Sequence, residues 1–158
     1  MKIRFVWGYD PLSLLIRAGE HDGDCPTHAE AVLVDGTLLG AHFDGGVQIR
    51  PKGYDASPVT ASPLRDLVVV IDTAPAQEAA WLTFLQTQVG KPYDSTAIAG
   101  IALNRDWRED DSWMCSELMT AALESCGYLP RLSAADNHIS PRDLLLVLSG
   151  RIAIPNAA

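Results

Sequence analysis

The feature that most restricts the fold is Asp35-Gly36, which sits between two runs of strand character, His28 to Val34 and Thr37 to Phe43. An Asp-Gly pair flanked in this way is a strong short-range signal for an antiparallel hairpin, because the glycine accepts the positive φ of a tight turn. A chain that commits to a hairpin here commits to at least part of an antiparallel sheet. Lys2 to Trp7 reads as another short strand, and Val47 to Arg50 as a second hairpin arm. Leu67-Val68-Val69-Val70-Ile71 is a continuous apolar run of the kind found in a central strand.

Helical segments alternate with these strands. Asp10-Pro11 supplies an N-cap and a first-turn proline, with Leu12, Leu15 and Ile16 as the apolar face and Gly19 as the stop. Residues 20 to 27 read as a polar loop. Pro75 to Val89 places Trp81, Leu82, Leu85 and Val89 on one face, and Gly90 ends it. Cys115 to Cys126 is the next helix, closed by Gly127 and Pro130. Ser140-Pro141-Arg142-Asp143 is a capping pattern that opens the last helix, and Arg151 to Ile154 reads as a final strand. Residues 51 to 66 hold three prolines and read as a surface excursion.

The 158 residues show no repeat and no linker, and suit a single domain over 1–158. At 47% hydrophobic and 20% charged the chain is globular in composition rather than disordered. A net charge of -8 argues against a nucleic-acid partner and against an anionic membrane face. No apolar run approaches the roughly 18 residues of a membrane span. Met1 to Trp7 carries charges and leads to no cleavage site, so no signal peptide is read. A cytoplasmic location is expected, with carriage by a phage or as an effector as the other route. Cys25, Cys115 and Cys126 are too few, and odd in number, for a disulfide framework.

Cys115 opens its helix. Unpaired N–H groups and the positive end of the macrodipole stabilise a thiolate there, and thiolate is the nucleophilic form. The position also suits a small buried hydrophobe. Cys126 lies in the last turn of the same helix, where the dipole disfavours thiolate, and reads as core. His28, opening a strand, is a candidate base for Cys115. His42 lies on the partner strand. It faces the same side as His28 if the turn holds an odd number of residues, and the opposite side if the turn is Asp35-Gly36 alone. His21, Cys25 and His28 carry ligand chemistry at close spacing but match no structural zinc pattern, so no metal and no cofactor is expected. Tyr93 can be a plain turn aromatic and His138 a loop histidine. No phosphate-binding glycine loop and no serine nucleophile elbow is present.

Taken together, Gly90-Lys91-Pro92-Tyr93, Cys115-Ser116-Glu117-Leu118, Leu129-Pro130-Arg131 and Ser140-Pro141-Arg142-Asp143-Leu144 resemble, in order, the motifs of NlpC-type papain-like cysteine peptidases. That family carries Gly-x-Pro-Tyr, then Cys-Ser-Gly opening a helix, a Leu-Pro-Arg loop and a Gly-Asp-Leu turn. Its histidine strand follows the cysteine, whereas His28-Ala29-Glu30-Ala31 precedes it here. This order, with Cys-Ser-Glu-Leu in place of Cys-Ser-Gly, resembles the circularly permuted YiiX/YaeF-like branch and, more distantly, lecithin:retinol acyltransferase. The resemblance spans about residues 12 to 148.

The resemblance implies an α+β, papain-like fold: an antiparallel sheet, partly barrelled, with the Cys115 helix packed on it. It implies a cysteine hydrolase of amidase or peptidase type, acting on an amide in a small peptide, with cell-wall peptides among the substrates. Lipid-ester hydrolysis or acyl transfer on the same fold is one alternative, and a non-catalytic binding module the other. His28 would be the general base, and the backbone N–H of Cys115 would serve the oxyanion. Tyr93 would line the site near the sulfur. The third catalytic position aligns with Gly40, which has no side chain, so His42 is expected to take that role. Glu30 is the competing candidate, although its side chain is expected to run parallel to the His28 ring rather than meet it. Neither the exact substrate nor the oligomeric state is legible.

Overall fold

The computed structural model describes residues 1–55, 65–95, 111–132 and 139–150. Five strands run β1 (Lys2–Trp7), β2 (His28–Val32), β3 (Leu38–His42), β4 (Gly46–Arg50) and β5 (Arg65–Val70). Four helices are described among them: α1 (Pro11–Glu20), α2 (Pro75–Gln88), α3 (Cys115–Ser125) and α4 (Pro141–Ser149). The sheet order is β4-β3-β2-β1-β5, with every neighbouring pair antiparallel. The α+β class is as expected. The partial barrel is not found: among the described residues the sheet is open, with β4 and β5 as its edges.

Side chains alternate across this sheet, and its two faces differ sharply. Ile3, Phe5, Ala29, Ala31, Leu39, Ala41 and Val47 form the core face. Over them lie Trp81 and Leu85 of α2, Leu118, Met119, Ala122 and Leu123 of α3, and Leu144 and Leu148 of α4. Each fully buried large aliphatic side chain contributes about 1.5–3 kcal/mol. The alanines of β2 and β3 are small, and α3 packs directly on these two strands. The alternate residues Arg4, His28, Glu30, Gly40 and His42 occupy the other face.

The hairpin settles the facing of His42. Ala31 pairs with Leu39 and Val32 with Leu38. The Leu33 N–H donates to Thr37 O at 2.9 Å and the Gly36 N–H to Leu33 O at 3.0 Å, with Gly36 at φ 83. Val34, Asp35 and Gly36 therefore make an odd turn. Carried forward, the register sets Glu30 opposite Gly40 and His28 opposite His42.

Three boundaries depart from the sequence reading. β5 is an edge strand, not a central one, and Leu67, Val68 and Val70 are exposed. A short apolar run looks the same in either place. Helix α1 continues through Gly19 to Glu20, and His21 at φ 53 forms its C-cap. Its Ile16 is buried but Leu15 is exposed. Helix α2 ends at Gln88 and leaves Val89 exposed. The expected strand at Arg151 to Ile154 and most of the 51–66 excursion lie outside the described residues.

Candidate active site

Two backbone ties bring the start of α3 to the sheet. The Val47 N–H of β4 donates to Lys91 O, and the Gly90 N–H donates to Val47 O, both at 2.8 Å. The Gly90–Tyr93 turn is thereby fixed to the sheet edge. Its far end pairs with the lead-in to α3: Trp113 N–H donates to Pro92 O at 3.0 Å, and Asp94 N–H to Trp113 O at 3.1 Å. Met114 is extended (φ -85, ψ 158), and its N–H donates to the Glu117 carboxylate at 3.2 Å. Cys115 is then the first helical residue, held against β2.

The Cys115 side chain is buried, with the residue only 1% exposed. Burial alone would push its thiol up. The positive charge and hydrogen bond of His28, together with the backbone N–H groups of Ala29 and Ser116, outweigh burial and lower its pKa. His28 moves the opposite way. Burial would lower it, but the charge and hydrogen bond of Cys115, followed by Glu30, raise it to about 10. The two shifts are opposite in direction, and both favour the charged forms, thiolate and imidazolium.

Behind His28 stands Glu30, fully buried, with Oε2 at 3.5 Å from His28 Nε2. At that separation the contact is an ion pair rather than a close hydrogen bond. Glu30 Oε1 accepts from Arg4 Nη1 at 2.8 Å, and Oε2 accepts from Tyr54 Oη at 3.1 Å. Burial would raise the Glu30 carboxyl, yet His28 and then Arg4 bring it down to about 2. Arg4 also contacts Asp55 at 2.8 Å and Asp66 at 2.6 Å. The carboxylate that was expected to run alongside the ring instead meets it.

His42 belongs to the same cluster. It is 6% exposed, its ring centroid is 4.9 Å from that of His28, and its Nε2 is 3.8 Å from Glu30 Oε2. Its Nδ1 lies 3.4 Å from Tyr54 Oη. Burial, the charge of His28 and Arg50 together depress it to about 3, so it is neutral. Gly40 has a packing reason of its own. A Cβ there would lie 2.9 Å from Glu30 Cβ and 3.5 Å from His42 Nε2. The space that a side chain at position 40 would take is filled by Glu30.

Tyr93 packs against the Ile16–Met114–Cys115 cluster together with Leu12, so it does lie beside the cysteine. Burial, then the Cys115 and Asp94 charges, hold its hydroxyl well above the usual range and keep it a neutral donor. A cavity of about 270 Å³ adjoins His28 and His42, with Leu12, Ile16, Phe43, Tyr54 and Tyr93 among its walls. His21 and Cys25 do not join His28. His21 is turned to Gly19 O at 3.0 Å and the Cys25 thiol to Asp22 O at 3.3 Å. Cys126 donates to Leu123 O at 3.3 Å within the core. His138 lies outside the described residues.

Sequence reading missed Arg4 and Tyr54. Arg4 carried a signal, since it is a lone internal charge in the otherwise apolar run Ile3 to Trp7. Tyr54 carried none, because its approach depends on how the segment after β4 folds back. The chain matches no protein-family model, and comparison with curated proteins finds no relative.

Proposed function

We propose that this protein is a cysteine hydrolase of papain-like, permuted NlpC character that cleaves an amide bond through a thioester on Cys115. The observation that carries the reading is the Cys115–His28 pair at the start of α3, in which each group shifts the other toward its charged form. The thiolate attacks the substrate carbonyl carbon. The developing oxyanion is met by the N–H of Cys115, with the neutral hydroxyl of Tyr93 as a second donor. The imidazolium of His28 gives its proton to the leaving amine as the C–N bond breaks. His28, now neutral, takes a proton from water, which attacks the thioester and releases the acid and the thiol.

Glu30 holds the imidazole of His28 from behind and balances its charge. Arg4 and Tyr54 fix that carboxylate in turn. The α1 side of the cavity carries Leu12 and Ile16 together with Asp10 and Ser13, and Asp44 and Asp55 adjoin it elsewhere. These carboxylates disfavour an anionic group at the scissile amide. Because Cys115 lies under Leu12, Ile16 and Tyr93, a substrate reaches the sulfur by moving these side chains aside.

A panel of amide, ester and muropeptide substrates, read with intact-mass detection of an acyl adduct on Cys115, tests the reading. An adduct on the wild-type chain and none on Cys115→Ala is the expected result. Equal turnover by the two chains would overturn it.

A further inference from the structure

The proposed hydrolase uses the sulfur of Cys115 and the imidazole of His28. It leaves unexplained why a second buried imidazole, that of His42, converges on Glu30 behind that ring. One ring nitrogen each of His28 and His42 and a carboxylate oxygen of Glu30 all lie within 4.8 Å of one another. Oε2 is 3.5 Å from Nε2 of His28 and 3.8 Å from Nε2 of His42. Both Nε2 atoms are buried, and neither has a hydrogen-bond partner. The His42 side chain is 6% exposed, and its Nε2 is itself buried from solvent. A buried polar atom without a partner costs about 1–3 kcal/mol, and here two such atoms converge on one carboxylate oxygen.

The charges nearby point the same way. Arg4 meets three carboxylates, Glu30, Asp55 and Asp66, all within 2.8 Å of its guanidinium. One positive against three negative leaves two negative charges before the imidazoles are counted. A divalent cation held between the rings balances them.

We infer that His28, Glu30 and His42 form a site for a divalent transition-metal ion of the zinc class, and that its occupation switches Cys115 off. Two imidazoles and one carboxylate are a familiar zinc donor set with a fourth position left open. Metal–ligand distances of about 2.0–2.1 Å place tetrahedral donors roughly 3.4 Å apart. The His28–Glu30 separation of 3.5 Å fits and the His42–Glu30 separation of 3.8 Å is close, while the widest spacing in the group, up to 4.8 Å, must close by about 1.4 Å as the His42 ring turns inward. Magnesium and calcium, which prefer oxygen donors, do not suit two imidazoles. A metal on Nε2 of His28 occupies the nitrogen that must carry the second proton. His28 then keeps only the N–H on its other ring nitrogen, and a metal-bound imidazole is a far weaker acid than an imidazolium, so the leaving amine is not protonated. No electron transfer is involved, and the displaced proton goes to solvent.

The test uses the full chain, stripped with chelator and then titrated with Zn²⁺ by calorimetry and with Co²⁺ by absorption. One Zn²⁺ per chain is expected for the wild type and for Cys115→Ala alike, since sulfur is not a ligand. The cobalt spectrum should lack a thiolate charge-transfer band. Zn²⁺ should slow acylation of Cys115 by amide substrates in the wild type and raise the melting temperature of both chains. The Glu30→Gln/His42→Ala double variant should bind at least about 10-fold more weakly. Absence of binding by the wild type, a thiolate band with Co²⁺, or loss of binding in Cys115→Ala would each overturn the proposal, and none of these needs the double variant to fold. Binding to Cys115→Ala is read without turnover, so the metal site and the hydrolase reading can fail separately.

Discussion

The two faces of the sheet are made by the same strands and do opposite work. On β2, Ala29 and Ala31 point into the core under α3, while His28 and Glu30 point to the polar cluster. On β3, Leu39 and Ala41 join the core, while Gly40 and His42 join the cluster. The apolar face stabilises through many interchangeable contacts. The polar face depends on a few groups that each need a particular neighbour, because a buried ion without its partner costs about 3–5 kcal/mol. Because the faces share one backbone, a single register sets both.

The largest expected effect lies where the two faces meet, at the two ends of α3. Cys115→Ala should abolish turnover and thiol-specific labelling at neutral pH while leaving the fold intact. Cys126→Ala, at the core end of the same helix, should cost only packing stability and leave turnover in place. Chemical denaturation and a substrate assay on both variants make the comparison. A Cys115→Ala chain with wild-type turnover would remove the division of labour.

His28→Ala should lower turnover by about 10²-fold or more, the usual scale for a positioned base. It should also move the alkylation midpoint of Cys115 upward, measured with chelator present throughout. The pair has a pH signature in stability as well. His28 is raised to about 10 from an unfolded value of 6.5. Its contribution is therefore complete below 6.5 and lost as pH rises through 10. Glu30 is lowered to about 2 from 4.5, so its contribution is present above 4.5 and lost as pH falls through 2. Melting temperature against pH should show both flanks in the metal-free wild type, and His28→Ala should lose the alkaline one.

The apolar face was largely legible in the sequence and the polar face only in part. Period-two and period-3.6 patterns report which side chains are buried, so β1, β2, β3 and the three later helices could be read from them. Cys115 and His28 were legible because a helix start and a strand start put chemistry at fixed places. What could not be read was the third dimension of the cluster. Whether His42 faced His28 turned on one residue in the hairpin, since Asp35-Gly36 serves a two-residue and a three-residue turn equally well. The absent side chain of Gly40 looked like a lost catalytic group, because sequence shows what a residue lacks and not what fills the space. The apolar run of β5 gave no sign of its edge position, which depends on strand order and not on local pattern.

A finer comparison sets Glu30 against His42, the two groups that could orient the base. Glu30 is nearer to His28, charged, and tied to Arg4 and Tyr54. Glu30→Gln keeps the shape and removes the charge, and should lower turnover by roughly one to two orders of magnitude, within the scale for acid–base support. His42→Ala should cost less, an intermediate loss with folding intact. The assay is turnover of both variants under one set of conditions, with a chelator to exclude metal. If His42→Ala proved the more damaging, His42 and not Glu30 would be the orienting partner.

The smallest expected effect is also the most geometric. Gly40→Ala adds one methyl group on the polar face and touches no reacting atom. Its Cβ would fall 2.9 Å from Glu30 Cβ, a separation at which something must move, and 3.5 Å from His42 Nε2, which is ordinary contact. The strain falls on Glu30, whose carboxylate is held by Arg4 and Tyr54 and cannot simply swing away. Overpacking of this kind costs about 1–3 kcal/mol. Turnover should fall by several-fold as the carboxylate shifts from the His28 ring, with the alkylation midpoint of Cys115 moving slightly upward. On the core face of the same strand, Ala41→Gly should lower stability by a comparable amount and leave the alkylation profile unchanged. The two neighbours differ in facing and in little else. If Gly40→Ala left the Cys115 profile untouched while lowering stability, Glu30 would be a structural group and the polar face would reach no further than His28.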